Sequence, residues 1–465
     1  MVSRSRVRGR PVAIVGLMLA LAALGPPGVG AQSLNGRLVS YVELEDFGID
    51  DAASIVHGRV ALVHDTAGPR LDVHFLRRTR TAAAPPTAGP QPIVARDSRD
   101  GADAERRLTA LWVWNTSNVL ASEAERSTLF QFVEQHEISR VFLQLPAAAG
   151  LAAVAGFVPF DGSALGPVVA ELRARGALTY ALDGDPDYAL RQNHAGVLRT
   201  VARVVAHNGT VPPAQRFHGV RYDIEPYLLP GFQGPRRAEI LDGYVRLVAD
   251  VAEAARQGDL TFGVDIPFWL DEPDEVSGEP FLASLDGSRM LVLDHVMSRV
   301  DDVAIMAYRT TAHDDGGVLR HTQGELVRAR DAGVGVFVAI ETTKIFDEDL
   351  YTLRGAGRPG LPTLTAEPWI VLEQRLGGGA RVWLAQGAAA LAELAHATAD
   401  AAQLTYWFAG VPVPLPGDAL SFHSLGPERM TEVTGEVLAG LRGNPSFRGL
   451  AFHDYLGLRA LLDPR

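Results

Sequence analysis

The sequence predicts an α/β fold: a (β/α)8 barrel with a small N-terminal β appendage and a long insertion between strands seven and eight. Three observations lead there. From residue 108 onward, runs rich in Val, Ile, Leu, Phe, Trp and Tyr alternate with helical patterns. Eight such units follow one another with no run of consecutive hairpins. Between the seventh and eighth runs lie about 100 residues, where one helix would suffice.

The chain has 465 residues, 47% hydrophobic and 21% charged, an ordinary globular composition long enough for one large barrel with additions. Residues 1–31 have the pattern of an export signal. Arg4, Arg6, Arg8 and Arg10 precede an apolar run from Pro11 to Gly25, and Val29-Gly30-Ala31 offers small residues for cleavage before Gln32. The apolar run, about 15 residues, is shorter than the roughly 20 of a spanning helix. The expectation is an exported protein, periplasmic or extracellular, with no stable membrane insertion after cleavage; an uncleaved anchor is the alternative.

Residues 32–80 carry alternating β-type runs at Arg37 to Glu43, Arg59 to His64 and Arg70 to Leu76, with a turn at Gly68-Pro69. So short a segment holds little core of its own and is expected to pack on the main domain. Residues 81–107, with Pro85, Pro86, Pro90 and Pro92, have linker composition. The barrel then occupies 108–465, with strands expected at 108–115, 138–145, 177–183, 217–225, 260–267, 302–309, 334–342 and 447–454. Ser122 with Glu125, and Thr322 with Glu325, have capping-box spacing. Residues 235–257 open on Pro235, repeat apolar side chains at 240, 244, 247, 248 and 251, and stop at Gly258. A doubly wound sheet is the alternative, but no Gly-rich phosphate turn follows the first strand. The insertion, about 343–425, holds Gly377-Gly378-Gly379, an Ala-rich helix near 387–403 and a Pro-rich stretch at 411–416. It is expected over the C-terminal face of the barrel, or else as a surface excursion.

Composition excludes several classes. Net charge is −12, and loss of the four leader arginines takes it to −16, a poor match for nucleic acid. With no cysteine there is no disulfide, thiolate zinc site or cysteine nucleophile. No Gly-x-Ser-x-Gly elbow, Walker loop or His-Glu-x-x-His is present, and the 13 histidines are scattered. Neither a metal nor another cofactor is expected.

The chemistry concentrates on strand four, Phe217-His218-Gly219-Val220-Arg221-Tyr222-Asp223-Ile224-Glu225-Pro226-Tyr227. Alternation sends Val220, Tyr222 and Ile224 outward and Arg221, Asp223 and Glu225 into the barrel. Inward charges are costly unless paired or functional. Arg221 is expected to neutralise Asp223. Glu225 comes last, at the C-terminal mouth where such barrels place their active sites. A carboxyl there beside Asp223 tends toward a raised pKa, as a general acid requires. A structural ion-pair ladder is the other reading of the three charges.

This strand resembles the DxxDxDxE motif of family 18 chitinases, which are TIM-barrel glycoside hydrolases. Aligned on Phe217 and Gly219, the last Asp falls on Asp223 and the catalytic Glu on Glu225, while His218 and Arg221 replace the two earlier acids. The family's Met-x-Tyr-Asp on strand six is matched by Met306-Ala307-Tyr308-Arg309, with Arg for Asp. The chain also resembles a set of poorly characterised bacterial barrel proteins of the glycoside hydrolase superfamily, with Asp-x-Glu-Pro-Tyr, Met-x-Tyr-Arg and Glu-Thr on strands four, six and seven. The resemblance implies hydrolysis of a polysaccharide or oligosaccharide, one bearing amino sugars being the natural candidate.

On strand seven, Val336-Phe337-Val338-Ala339-Ile340-Glu341-Thr342-Thr343 places Glu341 at the end, facing inward. Glycoside hydrolysis usually needs two carboxyls. The layout also resembles the large clan of retaining barrel hydrolases, with the acid after strand four and the nucleophile after strand seven. Two mechanisms follow, and retention is favoured over inversion. In one, Glu225 protonates the leaving oxygen and the substrate's N-acetyl group attacks, oriented by Asp223 and Tyr308. In the other, Glu341 is the nucleophile. Glu341 as a binding or pairing residue, toward Arg309, is the alternative to a catalytic role. A glycan-binding barrel without turnover is the alternative to an enzyme, motivated by the acids lost at His218 and Arg221.

Other mouth positions are candidates for substrate binding. Asp183 opens Asp183-Gly184-Asp185-Pro186-Asp187, whose likeness to a calcium loop fails at Tyr188 and His194. Asp265 points inward from strand five and is either a substrate contact or half of a buried pair. Trp112 and Trp114 on strand one, Trp269 after strand five and Tyr455 after strand eight are candidate sugar platforms, with core packing the favoured reading of any single one; Trp269 and Tyr455, beyond strand ends, are the best placed as platforms. His453, inward near the end of strand eight, reads as a satisfied core histidine.

Overall fold

The computed structural model describes residues 29–34, 37–44, 55–65, 68–77, 108–146, 162–229, 232, 236–274, 278–314, 316–358, 368–374, 380–386, 388–398, 403–409 and 412–463. Eight parallel strands close into a barrel. They are β1 (Leu108–Val113), β2 (Arg140–Gln144), β3 (Leu178–Asp183), β4 (Gly219–Tyr222), β5 (Thr261–Pro267), β6 (Asp302–Met306), β7 (Gly335–Glu341) and β8 (Phe447–His453). Each lies within one of the eight runs expected from the sequence. β5 and β7 are buried at every residue, which is why they read as predominantly apolar runs, broken only by Thr261 and the inward Asp265 and Glu341.

Alternation along the strands builds two apolar layers. Inside the barrel, alanines at 110, 304, 339 and 451 make room for the rings of Trp112, Phe142, Tyr180 and Phe337. Outward residues such as Val220, Tyr222, Val303, Ile305, Val338 and Ile340 join the main core beneath the helices. Helix Arg237–Gln257 buries the expected stripe, Ile240, Tyr244, Leu247, Val248 and Val251, and stops at Gly258. Ser122 caps its helix by accepting the Glu125 N–H at 3.3 Å. Thr322 does not do so. A short helix, Val318–His321, runs straight into the next, so the Thr322 hydroxyl bonds back to the Val318 carbonyl at 3.0 Å.

The N-terminal segment and the insertion form one structure. A single sheet runs in the order Val29–Leu34, Arg37–Leu44, Ala380–Ala385, Trp369–Gln374, Gln403–Phe408, Glu348–Arg358, Ile55–Asp65, Gly68–Arg77, with Val413–Leu415 on the side of Glu348–Arg358. Ile370, Leu372, Val382 and Trp407 pack on one face; Trp369, Val371, Trp383 and Tyr406 pack on the other, with Leu391 and Leu394. Those two leucines lie on helix Ala388–Ala397, shorter than the sequence suggests, because Gln403–Phe408 is a strand.

Of the expected leader, residues 1–28 lie outside the described residues, as does all of the expected linker, 81–107. The expected cleavage point falls inside the strand Val29–Leu34. No helix among the described residues is long and apolar enough to cross a membrane.

The insertion returns against the C-terminal ends of β6 and β7. Phe422 N–H bonds the Glu341 carbonyl at 3.1 Å, and the Thr310 hydroxyl bonds the Asp418 carbonyl at 2.7 Å. The Ser421 hydroxyl bonds the Thr343 carbonyl. These bonds tie the segment that follows the strand Val413–Leu415 to the mouth.

Candidate active site

Arg221 organises the floor. It is fully buried, yet its partner is not Asp223. Its Nε meets Asp265 Oδ1 at 2.7 Å, its Nη1 meets Asp302 Oδ1 at 2.6 Å, and Nη2 bonds the Val264 carbonyl at 3.2 Å. The sequence expectation is corrected by strand geometry. Residues two apart on a strand are separated by roughly 6.6 Å, whereas neighbouring strands lie about 4.8 Å apart. Arg221, Gly263 and Asp302 share one row across β4, β5 and β6. A Cβ on Gly263 would sit 2.5 Å from Arg221 Nη1 and 2.6 Å from Asp302 Oδ1, so the glycine is the gap through which the ion pair passes. The guanidinium also lies 4.1 Å over the Phe142 ring. Asp265 is thereby the buried pair of the two readings, its second oxygen taking the Trp112 indole N–H at 2.9 Å.

Above this floor sit Asp223 and Glu225, just past the end of β4. Asp223 Oδ1 is buried with no hydrogen-bond partner among the described residues. Burial first, then the charges of Asp265 and Glu225, push its carboxyl well above the usual range, against His453 and Arg221. Glu225 is 7% exposed. Its Oε1 accepts the hydroxyl of Tyr227, which the Pro226–Leu228 turn folds back onto it. Burial raises Glu225 to about 7, opposed by the Tyr227 bond and the charge of His453 and aided by Asp265. It therefore keeps its proton into the neutral range, as a general acid must.

Glu341 ends β7 with no exposure. Its Oε1 takes both the backbone N–H (2.6 Å) and the hydroxyl (2.7 Å) of Thr343, and its Oε2 takes His453 Nδ1 at 2.9 Å. Its partner is His453, not Arg309. Arg309 instead donates to the Tyr308 carbonyl at 2.8 Å and lies 4.9 Å over Phe268; burial lowers it to about 10. His453 is far more than a satisfied core residue. Its Nε2 receives the Trp114 indole N–H at 3.1 Å, and its ring stands 5.9 Å from Trp112 and 6.0 Å from Tyr308. Burial alone lowers its pKa, but the charge and hydrogen bond of Glu341, with Asp454 and Asp223, overcome that and raise it to about 9. Tyr308 is buried; after burial itself, Glu341, Asp223, Asp265 and Glu225 hold its hydroxyl well above the usual range.

The remaining candidates divide. Asp183 ends β3, accepts the Gly184 N–H at 2.9 Å and the Tyr188 hydroxyl at 3.3 Å, and is raised by burial to about 6. Trp269 is half-buried, its ring 5.1 Å from Tyr227 and 4.9 Å from Phe281, so it supports Tyr227 from behind. Trp114 is committed to His453. Tyr455 is no platform: it is fully buried, 5.4 Å from Phe132. Asp454 caps helix Tyr455–Leu462, accepting the Gly457 N–H, which turns Tyr455 under the barrel's outer helices.

The structure thus brings together Asp223, Glu225, Tyr308, Glu341 and His453, with Tyr227 and Trp114 behind them. Three residues escaped the sequence reading in their roles. Tyr227 was visible as the Tyr two residues after Glu225, and His453 as an inward residue at a strand end. Asp302 carried no signal, being at the start of its strand. No group of three or more side chains suited to hold a metal occurs among the described residues.

No family model matches the chain, and no curated protein matches it. Solved structures do. A chitinase from Chromobacterium violaceum is 13% identical, covering 72% of this chain and 99% of its own, with a TM-score of 0.35. A family GH18 chitinase from Cycas revoluta, in complex with allosamidin, is 14% identical, covering 76% and 97%, with a TM-score of 0.37. The Bacillus cereus spore cortex-lytic enzyme SleL is 10% identical, covering 75% and 71%, with a TM-score of 0.36.

Proposed function

We propose that this chain is an exported glycoside hydrolase acting on a polysaccharide that carries N-acetylated amino sugars, with Glu225 as the proton donor. The observation that carries the reading is Glu225 itself: a buried carboxyl at the barrel mouth, hydrogen-bonded by Tyr227, that keeps its proton to about pH 7. Two further features support the substrate-assisted version, which retains configuration. Both oxygens of Glu341 are already engaged and the residue has no exposure, a poor state for a nucleophile. Asp223 Oδ1 is buried and unpartnered among the described residues, suited to an acetamido N–H, with Tyr308 beside it for the acetamido carbonyl.

The test is reducing-end release by the mature protein on chitin fragments, deacetylated poly-glucosamine, galactosaminoglycans and neutral glucans, with Glu225→Gln alongside. Loss of the acid should cost about 10²–10⁴-fold. Activity should fall above about pH 7 as Glu225 ionises. Full activity in Glu225→Gln refutes the assignment. Glycan affinity without release would make the chain a binding barrel, the reading prompted by His218 and Arg221 where family 18 chitinases carry acids.

A further inference from the structure

The hydrogen bonds around His453 contain a conflict. An indole N–H is a donor only, so the 3.1 Å contact from Trp114 Nε1 requires a lone pair on His453 Nε2. With Nδ1–H given to Glu341, that describes a neutral imidazole. Glu341, buried and held on its other oxygen by Thr343, favours the opposite state, an imidazolium. In that state Nε2 carries a proton and the Trp114 bond is lost. The imidazole is faced by Glu341 from β7, by Asp454 beside it, by Asp223 and Glu225 from just past the end of β4, by Tyr308 from just past the end of β6, and by Trp112 from β1. Arg221 faces Asp223 from below.

We propose that Glu341, His453 and Trp114 form a positioning relay in which the charge on His453 sets how tightly Glu225 holds its proton. Glu341 pulls His453 toward the cation and Trp114 pulls it toward the neutral form. A cationic His453 favours ionised Glu225 and Asp223; a neutral one lets Glu225 keep its proton to higher pH. His453 thus acts through Glu225 rather than on substrate. The functional meaning rests on the proposed acid role of Glu225, but the relay is measurable without any substrate.

The relay predicts shifts of opposite sign. The experiment is a pH titration of the Glu225 carboxyl carbon by NMR in glutamate-labelled protein, the resonance assigned by its absence in Glu225→Gln. His453→Gln removes the cation and should raise the Glu225 midpoint by about one unit, the lower end of what a nearby opposite charge does. Glu341→Gln should move it the same way, since His453 loses its charged partner. Trp114→Phe removes the donor that favours neutral imidazole and should lower the midpoint. Midpoints within about 0.2 units of the parent in all three, or a Trp114→Phe shift upward with the others, overturn the relay. Should the buried Glu341→Gln or His453→Gln fail to fold, Trp114→Phe, at a half-buried position, decides by its sign. Hydrolysis without these shifts would sink the relay alone; the shifts without hydrolysis would keep the relay and sink the enzyme.

Discussion

Arg221→Met is a severe and informative perturbation of this barrel. Met matches the arginine stem in length and packs on Phe142, but leaves Asp265 and Asp302 without their shared cation in a site where Arg221 and Asp265 have essentially no exposure. The size of the loss can be bounded. A stranded carboxylate always has protonation as its alternative, and at pH 7 protonating an aspartate of ordinary pKa costs about 4 kcal/mol. Asp265 retains the Trp112 N–H, and Asp302 has 9% side-chain exposure, so neither reaches that ceiling. The expected loss is about 3–5 kcal/mol at pH 7, the range for breaking a buried pair from one side. The sign with pH follows. Asp265, already raised by burial, would lose the Arg221 charge and hydrogen bond that hold it down, so protonation relieves the variant as pH falls toward the unfolded value, and the deficit at pH 5 should shrink to less than half. Urea unfolding of parent and variant at both pH values measures this, and Arg221→Met/Asp265→Asn/Asp302→Asn should recover most of the loss. A deficit below about 1 kcal/mol, or one equal at both pH values, would refute the account of Arg221 as the charge partner of Asp265 and Asp302.

Three other outcomes are expected. Glu225→Gln should stabilise the fold: a shift from 4.5 to about 7 penalises the folded state by about 3 kcal/mol above pH 7 and by nothing below the unfolded value, so urea midpoints of variant and parent should diverge as pH rises from 5 to 8. Tyr227→Phe removes a hydrogen bond that favours ionised Glu225, so the Glu225 midpoint should move above its parent value of about 7; an unchanged or lower NMR midpoint contradicts the pairing. Gly184→Ala would place a Cβ 2.1 Å from the Asp223 carbonyl oxygen, backbone that cannot step aside, so a loss of about 1–3 kcal/mol by thermal unfolding should accompany a displaced Glu225 titration.

Much of the architecture was legible because its signals are local. Parallel strands buried on both faces become apolar runs, and β5 and β7 could be seen without any partner. Alternation then fixed that Asp223, Glu225 and Glu341 lie at strand ends on the inward side. Local signals misled where the side chain's destination depended on neighbours. Tyr455 follows a strand end but enters a helix capped by Asp454. Thr322 has the right spacing for a cap but sits in a helical conformation. The N-terminal β runs and the insertion look independent in sequence, yet share one sheet.

The sequence by itself determined the barrel, the inward-facing rows and the place of the Glu225 carboxyl just past the end of strand four. It did so because period-two alternation and strand burial are written into adjacent residues. Only the tertiary structure decided who pairs with whom. Arg221 meets Asp265 and Asp302 across 44 and 81 positions, His453 meets Glu341 across 112, and Trp114 meets His453 across 339. Those partners are chosen by strand register and barrel closure, through gaps such as Gly263, and neither register nor closure is a property of any one segment of the chain.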